Sequence, residues 1–228
     1  MKRVLITAGG NGIGRAMGQG FDDAGFQVWV TDVDATALAD CPANWKTSNV
    51  DASDEGQMSA LFAQIDSDWG GVDAICANAG IAGPTACVED VDLDDWRKCV
   101  SVNLEGAFLA AKYGGPMLKV SKGAMVLTSS TAGIYGFPNR APYASAKWAI
   151  IGLTKTLAME WGPAGVRANA ICPGAVEGPR MQGVMEREAV AKGTTAQAIY
   201  DGYASGTSMR SLVTAEDIAN MAVFLCQP

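Results

Sequence analysis

KRVLITAGGNGIG, residues 2–14, is a short apolar strand pattern that runs straight into a glycine-rich turn. Val4, Leu5 and Ile6 lead into Thr7-Ala8-Gly9-Gly10-Asn11-Gly12-Ile13-Gly14, and a helical pattern follows to about Ala24. Glycines let a backbone turn sharply and approach a pyrophosphate closely, and the N-terminus of the next helix meets its negative charge. On this reading Gly9, Asn11, Gly12, Ile13 and Gly14 cradle the phosphates of a dinucleotide. The same residues alone would also make a tight strand–helix connection, so their surroundings decide.

The surroundings favour the dinucleotide. The next apolar run, 26–31, ends at Asp32, eighteen residues past Gly14 and close to the ~20 expected of a carboxylate that bonds ribose hydroxyls. A carboxylate there repels a 2′-phosphate, and no Arg or Lys lies between Gly9 and Gly14 to attract one. NAD is therefore the expected cofactor, rather than NADP. Asp51, after the third strand candidate, belongs at the same edge of the sheet. It either accepts a hydrogen bond from the adenine amino group or caps a helix.

Farther out, strand-like runs at 2–7, 26–31, 45–50, 72–77, 123–129 and 166–172 alternate with helical periodicity. That alternation predicts an α/β fold, a doubly wound parallel sheet of Rossmann type with helices on both faces. In 54–69, Met58, Leu61, Phe62, Ile65 and Trp69 recur at helical spacing, and Asp54 with Gln57 suits a capping box. Thr214 with Asp217 is a second capping box, ahead of Ile218, Met221, Ala222 and Leu225. With no repeat or linker in view, 1–228 is expected to be a single dinucleotide-binding and catalytic domain. The stretch 178–212 has no strand candidate and is expected to be a helical excursion or lid above the sheet. Gln227-Pro228 directly follows a helix where the alternation would supply another strand, so the last edge strand is expected to be missing: either the chain is trimmed or this edge is built differently.

The net charge of −7 and the scattering of the 17 basic residues argue against a nucleic-acid partner. No apolar stretch approaches the ~20 residues of a membrane span or forms a signal segment, which gives a cytoplasmic expectation. Six cysteines without a Cys-x-x-Cys pair are expected to be reduced and mostly in the core. The absence of histidine is more telling. It removes Ser-His-Asp catalysis, His-ligated metals and imidazole acid–base chemistry together, and no metal site is expected. Proton transfer is left to Tyr, Lys, Asp, Glu, Cys or water.

Tyr143-Ala144-Ser145-Ala146-Lys147 supplies a pair for that work. Residues four apart on a helix share a face, so an ammonium at Lys147 can sit near the Tyr143 phenol and favour the phenolate. Thirteen residues upstream, the fifth strand candidate ends in Thr128-Ser129-Ser130-Thr131. The C-terminal ends of strands are where doubly wound folds bind ligands. A hydroxyl such as Ser130's can hold a substrate oxygen there, although a serine-rich turn would look the same.

Taken together, these residues resemble the classical short-chain dehydrogenase/reductase family over essentially the whole chain. Ser130, Tyr143 and Lys147 fall at the family's spacing, Asn78-Ala79-Gly80 matches its Asn-Ala-Gly motif, and Asn103 matches its catalytic asparagine. Arg167-Ala168-Asn169 and Pro173-Gly174 match its sixth strand and the turn beside the nicotinamide. The resemblance implies reversible hydride transfer between NAD and a secondary alcohol or ketone, without metal. Tyr143 would be the general acid/base and Ser130 would orient the substrate oxygen. Lys147 would hold the nicotinamide ribose, and Asn103 a water that links Lys147 to solvent. Asn78, Ala79 and Gly80 would support sheet and cofactor. The resemblance further implies a homo-oligomer, dimer or tetramer.

Two positions depart from the family. Its first glycine after the threonine is Ala8 here, tolerable if that residue keeps a negative φ. Its carboxamide-binding threonine aligns with Gly178, which leaves that contact to backbone groups near Val176. Substrate contacts are expected from Ile134, Tyr135, Phe137, Asn139 and Arg140, and from Arg180, Met181, Val184, Met185 and Tyr200 in the excursion. Arg140 and Arg180 either meet an acidic group on the substrate or are ordinary surface arginines. Two rival functions use the same fold: a non-catalytic dinucleotide-sensing regulator, and an NAD-retaining epimerase or dehydratase.

Overall fold

Parallel strands need crossovers long enough to carry the chain back across the sheet, and the helices of this chain supply them. A computed structural model describes residues 1–227. Along them come β1 (Arg3–Thr7), α1 (Gly12–Asp23), β2 (Gln27–Asp32), α2 (Ala35–Ala39), β3 (Lys46–Asn49), α3 (Glu55–Trp69) and β4 (Ala74–Ala77). These are followed by α4 (Leu93–Val100), α5 (Gly106–Ser121), β5 (Ala124–Thr128), α6 (Ala141–Trp161) and β6 (Arg167–Ile171). The last elements are α7 (Pro179–Lys192), α8 (Ala196–Ser205) and α9 (Ala215–Cys226). All six strands lie where the apolar runs predict them.

The strand order is β3-β2-β1-β4-β5-β6, entirely parallel. The order reverses between β1 and β4, and a crevice opens above their C-terminal ends. Among the described residues no seventh strand lies beyond β6. Arg167 on β6 instead donates to Leu225 O and Gln227 O, which satisfies carbonyls at the end of α9.

Alternation along each strand divides the core in two. Leu5, Trp29, Ile75, Met125 and Leu127 face Met58, Phe62, Ile65, Leu118, Ile150 and Trp161 from α3, α5 and α6. Their strand neighbours Val4, Ile6, Val28, Val30, Cys76 and Val126 face Met17, Phe21, Ile218 and Ala222 from α1 and α9. A sheet covered on both faces leaves only its edges open to ligand.

The capping boxes differ from one another. Thr214 and Asp217 form theirs reciprocally, with Asp217 N donating to Thr214 Oγ1 at 3.1 Å and Thr214 N to Asp217 Oδ2 at 2.8 Å. At α3 only half of the expected box exists. Asp54 Oδ1 accepts from Gln57 N at 2.9 Å, but Gln57 Oε1 accepts from Asp51 N instead of Asp54 N. The Asp54 N–H is taken by Asp51 O at 3.0 Å, which leaves nothing there for Gln57 to receive.

Candidate active site

The glycine turn is built by close approach. A Cβ on Gly14 would lie 2.1 Å from Ala8 O, and one on Gly9 would lie 2.6 Å from Val30 Cβ. Gly12, at φ 51°, has open space on its Cβ side. Ala8 also takes the left-handed region, at φ 51°. The negative φ that would make an alanine harmless here is absent, so the turn carries backbone strain of about 1–2 kcal/mol. Asn11 at the start of α1 makes no side-chain cap, and no acid sits in the first turn. The orphan N–H groups and the positive end of the helix dipole are thus left for an anion, and these residues fit a pyrophosphate. Ile13 is half-buried behind them.

Asp32 closes the turn from the second strand. Its Oδ2 accepts from Gly10 N at 3.0 Å and its Oδ1 from Asp34 N at 3.1 Å, which fixes the carboxylate at the crevice rim. Asp51 Oδ1 accepts from Ser53 N at 2.9 Å and Ser53 Oγ at 2.7 Å, so it organises the turn before α3. Asn78 braces the crevice floor: its Nδ2 donates to Thr7 O and Ala8 O, while its Oδ1 accepts from Thr128 Oγ1. Thr7 was not foreseen by motif reading. Its buried Oγ1 accepts from both Asn78 N and Ala79 N at 3.0 Å, and locks β1 to the Asn-Ala-Gly turn.

Tyr143 and Lys147 stand one turn apart in α6. The Lys147 ammonium is 5.6 Å from the Tyr143 ring centroid and donates to Thr128 O at 2.8 Å. Lys147 is buried, and burial, helped by the Arg180 charge, pushes its pKa from the usual 10.5 down to about 7. Asn103 lies in a wide π-helical turn, Ser101–Glu105, between α4 and α5. Its Nδ2 donates to Ile81 O and Cys99 O, which aims Oδ1 the other way. That Oδ1 is buried and unpartnered, and a Cβ on Gly80 would fall 2.6 Å from it and 3.3 Å from Lys147 Nζ. Glycine at position 80 thus lets the Asn103 amide oxygen and the Lys147 ammonium lie close against the backbone of the Asn-Ala-Gly turn, with Oδ1 left to accept from a hydrogen-bond donor.

Ser130 caps the turn after β5, accepting from Ala132 N at 3.2 Å and donating to Pro173 O at 3.5 Å. Ser129, its neighbour, donates to Lys147 O at 2.7 Å and ties the serine turn to α6. Gly174 is exposed beyond Pro173. Val176 forms an isolated parallel bridge with Val213 through Ala175 O and Glu177 N, which leaves its own N–H and C=O outside the bridge. Gly178, at φ 136°, holds the start of α7 in a conformation a threonine would resist.

The loops after β4 and β5 are stitched together. Ala86 N donates to Asn139 O, and Arg140 Nη2 donates to Ala82 O at 2.7 Å. Arg140 is 6% exposed, so the reading of it as a surface arginine is wrong. The bond to Ala82 and the flanking Phe137 and Tyr143 rings, 5.7 and 5.1 Å away, draw it inward. Nothing in its local sequence signals that. Arg180 is exposed, as are Ile134 and Tyr135. In the α7–α8 excursion Val184 is buried, and Met181, Met185 and Tyr200 are half-buried. Among the described residues no cluster of His, Cys, Asp and Glu is placed to hold a metal, and no helix is long and apolar enough to cross a membrane.

A family model described as enoyl-(acyl carrier protein) reductase matches residues 7–228. The trans-4-hydroxycyclohexanecarboxylate dehydrogenase of Sinomonas cyclohexanicum is 35% identical over 196 residues, which cover 80% of this chain and 75% of that protein. Among solved structures, NAD⁺-bound xylitol dehydrogenase superposes with a TM-score of 0.95 at 27% identity, covering 100% of this chain and 92% of the other. ElxO with NADP bound gives 0.87 at 28% identity, covering 99% and 91%.

Proposed function

Because the chain belongs to the short-chain dehydrogenase/reductase family, we propose that this oxidoreductase moves hydride between NAD and a secondary alcohol or ketone, with Tyr143 as acid/base. The observation that carries the reading is the buried Lys147 ammonium held beside the Tyr143 ring by Thr128 O. That puts a hydrogen-bond donor one helical turn from the phenol that would carry the proton. NAD, when bound, supplies the hydride acceptor and donor.

The chain's own residues do the rest. Ser130 orients the substrate oxygen, and Tyr143 takes the hydroxyl proton in oxidation or returns it in reduction. Lys147 holds the nicotinamide ribose, and Asn103 a water. Pro173, Gly174 and Val176 offer backbone groups to the nicotinamide carboxamide. Gly9, Asn11, Gly12, Ile13 and Gly14 take the pyrophosphate, while Asp51, Ala79 and the braced Asn78 shape the adenine and nicotinamide ends. Asp32 favours NAD, since its fixed carboxylate repels a 2′-phosphate; the two structural neighbours bind one cofactor each, NAD⁺ and NADP. A ring alcohol is a fitting substrate class, given the cyclohexane named for the relative from Sinomonas. We place the protein in a reducing, cytoplasmic setting, and read the chain as one domain with a lid segment at about 178–212.

The test is an NAD⁺-reduction screen over ring alcohols, polyols and hydroxy acids. Tyr143→Phe is expected to abolish turnover, with NADH affinity kept within about threefold; retained turnover removes the assignment. Asp32→Ala is expected to weaken NAD at least about tenfold more than NADP, the cost of lost charge-assisted bonds. Equal losses would mean that Asp32 does not read the ribose.

A further inference from the structure

We propose that the molecule oxidised or reduced at Tyr143 carries a carboxylate, received by the buried guanidinium of Arg140 with Arg180 as a second cation at the mouth. The proposal rests on the oxidoreductase reading of the same site and names its substrate class.

A guanidinium stays charged at any pH the fold survives, so burying one without a counter-ion is costly. Arg140 is 6% exposed, yet it forms no ion pair among the described residues. Of its five N–H donors, one meets Ala82 O at 2.7 Å, and its buried Nε meets nothing. Glu188 is the acid whose charge couples to Arg140, but both of its oxygens are in use. Lys192 Nζ donates to one at 2.6 Å and Tyr203 Oη to the other at 2.8 Å. Among the described residues the Phe137 and Tyr143 rings flank the guanidinium, and rings supply far less than a carboxylate does.

A structural pin between two loops would explain the Ala82 bond but not the charge. A neutral side chain could make the same bond without the desolvation cost. Other cations also crowd Arg140, alongside the coupled Glu188. In a chain of net charge −7, Arg140, Lys147 and Arg180 all act on the Cys99 thiol beside Asn103, and Arg180 and Arg187 both act on Arg140. Cations therefore gather around Arg140 and Tyr143. The guanidinium carbon lies 5.1 Å from the Tyr143 ring centroid, so the anion and the reacting oxygen fit one small molecule.

The experiment pairs binding with turnover. Cyclohexanecarboxylate and cyclohexanecarboxamide, neither of which can react, are titrated into NADH-saturated protein by thermal shift. The carboxylate alone should stabilise the wild type, and R140Q should weaken it about 10- to 100-fold, with R140K recovering part. R180Q, altered at the surface, should weaken it about threefold. Equal effects of the two probes on the wild type, or no effect of the carboxylate, overturn the proposal whatever the variants do. In turnover, 4-hydroxycyclohexanecarboxylate should exceed its carboxamide at least tenfold in kcat/KM, and R140Q should erase the difference. Equal turnover of the pair overturns the carboxylate and leaves the oxidoreductase standing. Carboxylate binding in a protein that oxidises no alcohol and reduces no ketone keeps the anion site and removes the hydride-transfer reading.

Discussion

Lys147 shows burial working against charge at a single residue. An unfolded lysine holds its proton to about pH 10.4, whereas the buried one releases it near pH 7. Between those values the unfolded chain binds more protons, so folding stability rises with pH; below pH 7 both states are protonated and the buried charge weighs on the fold. Lys147→Met should remove this dependence along with turnover. Urea unfolding from pH 7 to 9.5 is expected to show wild-type stability climbing relative to the variant, with a slope of at most about 1.4 kcal/mol per pH unit. Parallel curves would mean that Lys147 keeps its proton when folded.

Among the elements, α7 and α8 differ from the rest because they leave the sheet and return to one point. The Val176–Val213 bridge closes their base, and only Val184, Ala189, Ile199 and Ala204 bury fully within them. We infer that few buried contacts on a pinned base let this segment open as a flap at low cost. Trypsin should cut at Arg187, Lys192 or Arg210, and saturating NAD with a turned-over alcohol should slow cleavage at least about fivefold; unchanged cleavage would show a rigid segment. β1, β2, β4 and β5 were legible in the sequence because apolar runs buried on both faces tolerate little else. The placement of Tyr143 and Lys147 one turn apart on a helix, and of Ser130 after a strand end, was legible because local spacing sets it. Arg140's burial was not, because it depends on Ala82, fifty-eight residues away, and on two rings that only the folded loops bring near. The wide turn at Asn103 was equally hidden, since its residues keep ordinary helical periodicity.

At the scale of the molecule, the sheet is covered on both faces, yet the helices covering it still show large apolar groups outward. Phe108 on α5 is 48% exposed and Trp148 on α6 is 52% exposed, and Val120 and Met159 on the same two helices are more open. We propose that copies of the chain associate through these helices. Sedimentation velocity at micromolar concentration should give a dimer or tetramer, and Phe108→Glu with Trp148→Glu should shift it toward monomer; a wild-type monomer would end this reading.

The left-handed Ala8 has a consequence for how readily the molecule changes. Alanine and glycine codons differ at one base, so relief of the strain at φ 51° is a single substitution away. Glycine's greater freedom in the unfolded chain would offset part of the gain, about 0.5–1 kcal/mol. Sampling near this codon during directed evolution should meet that change early, as a mild stabiliser.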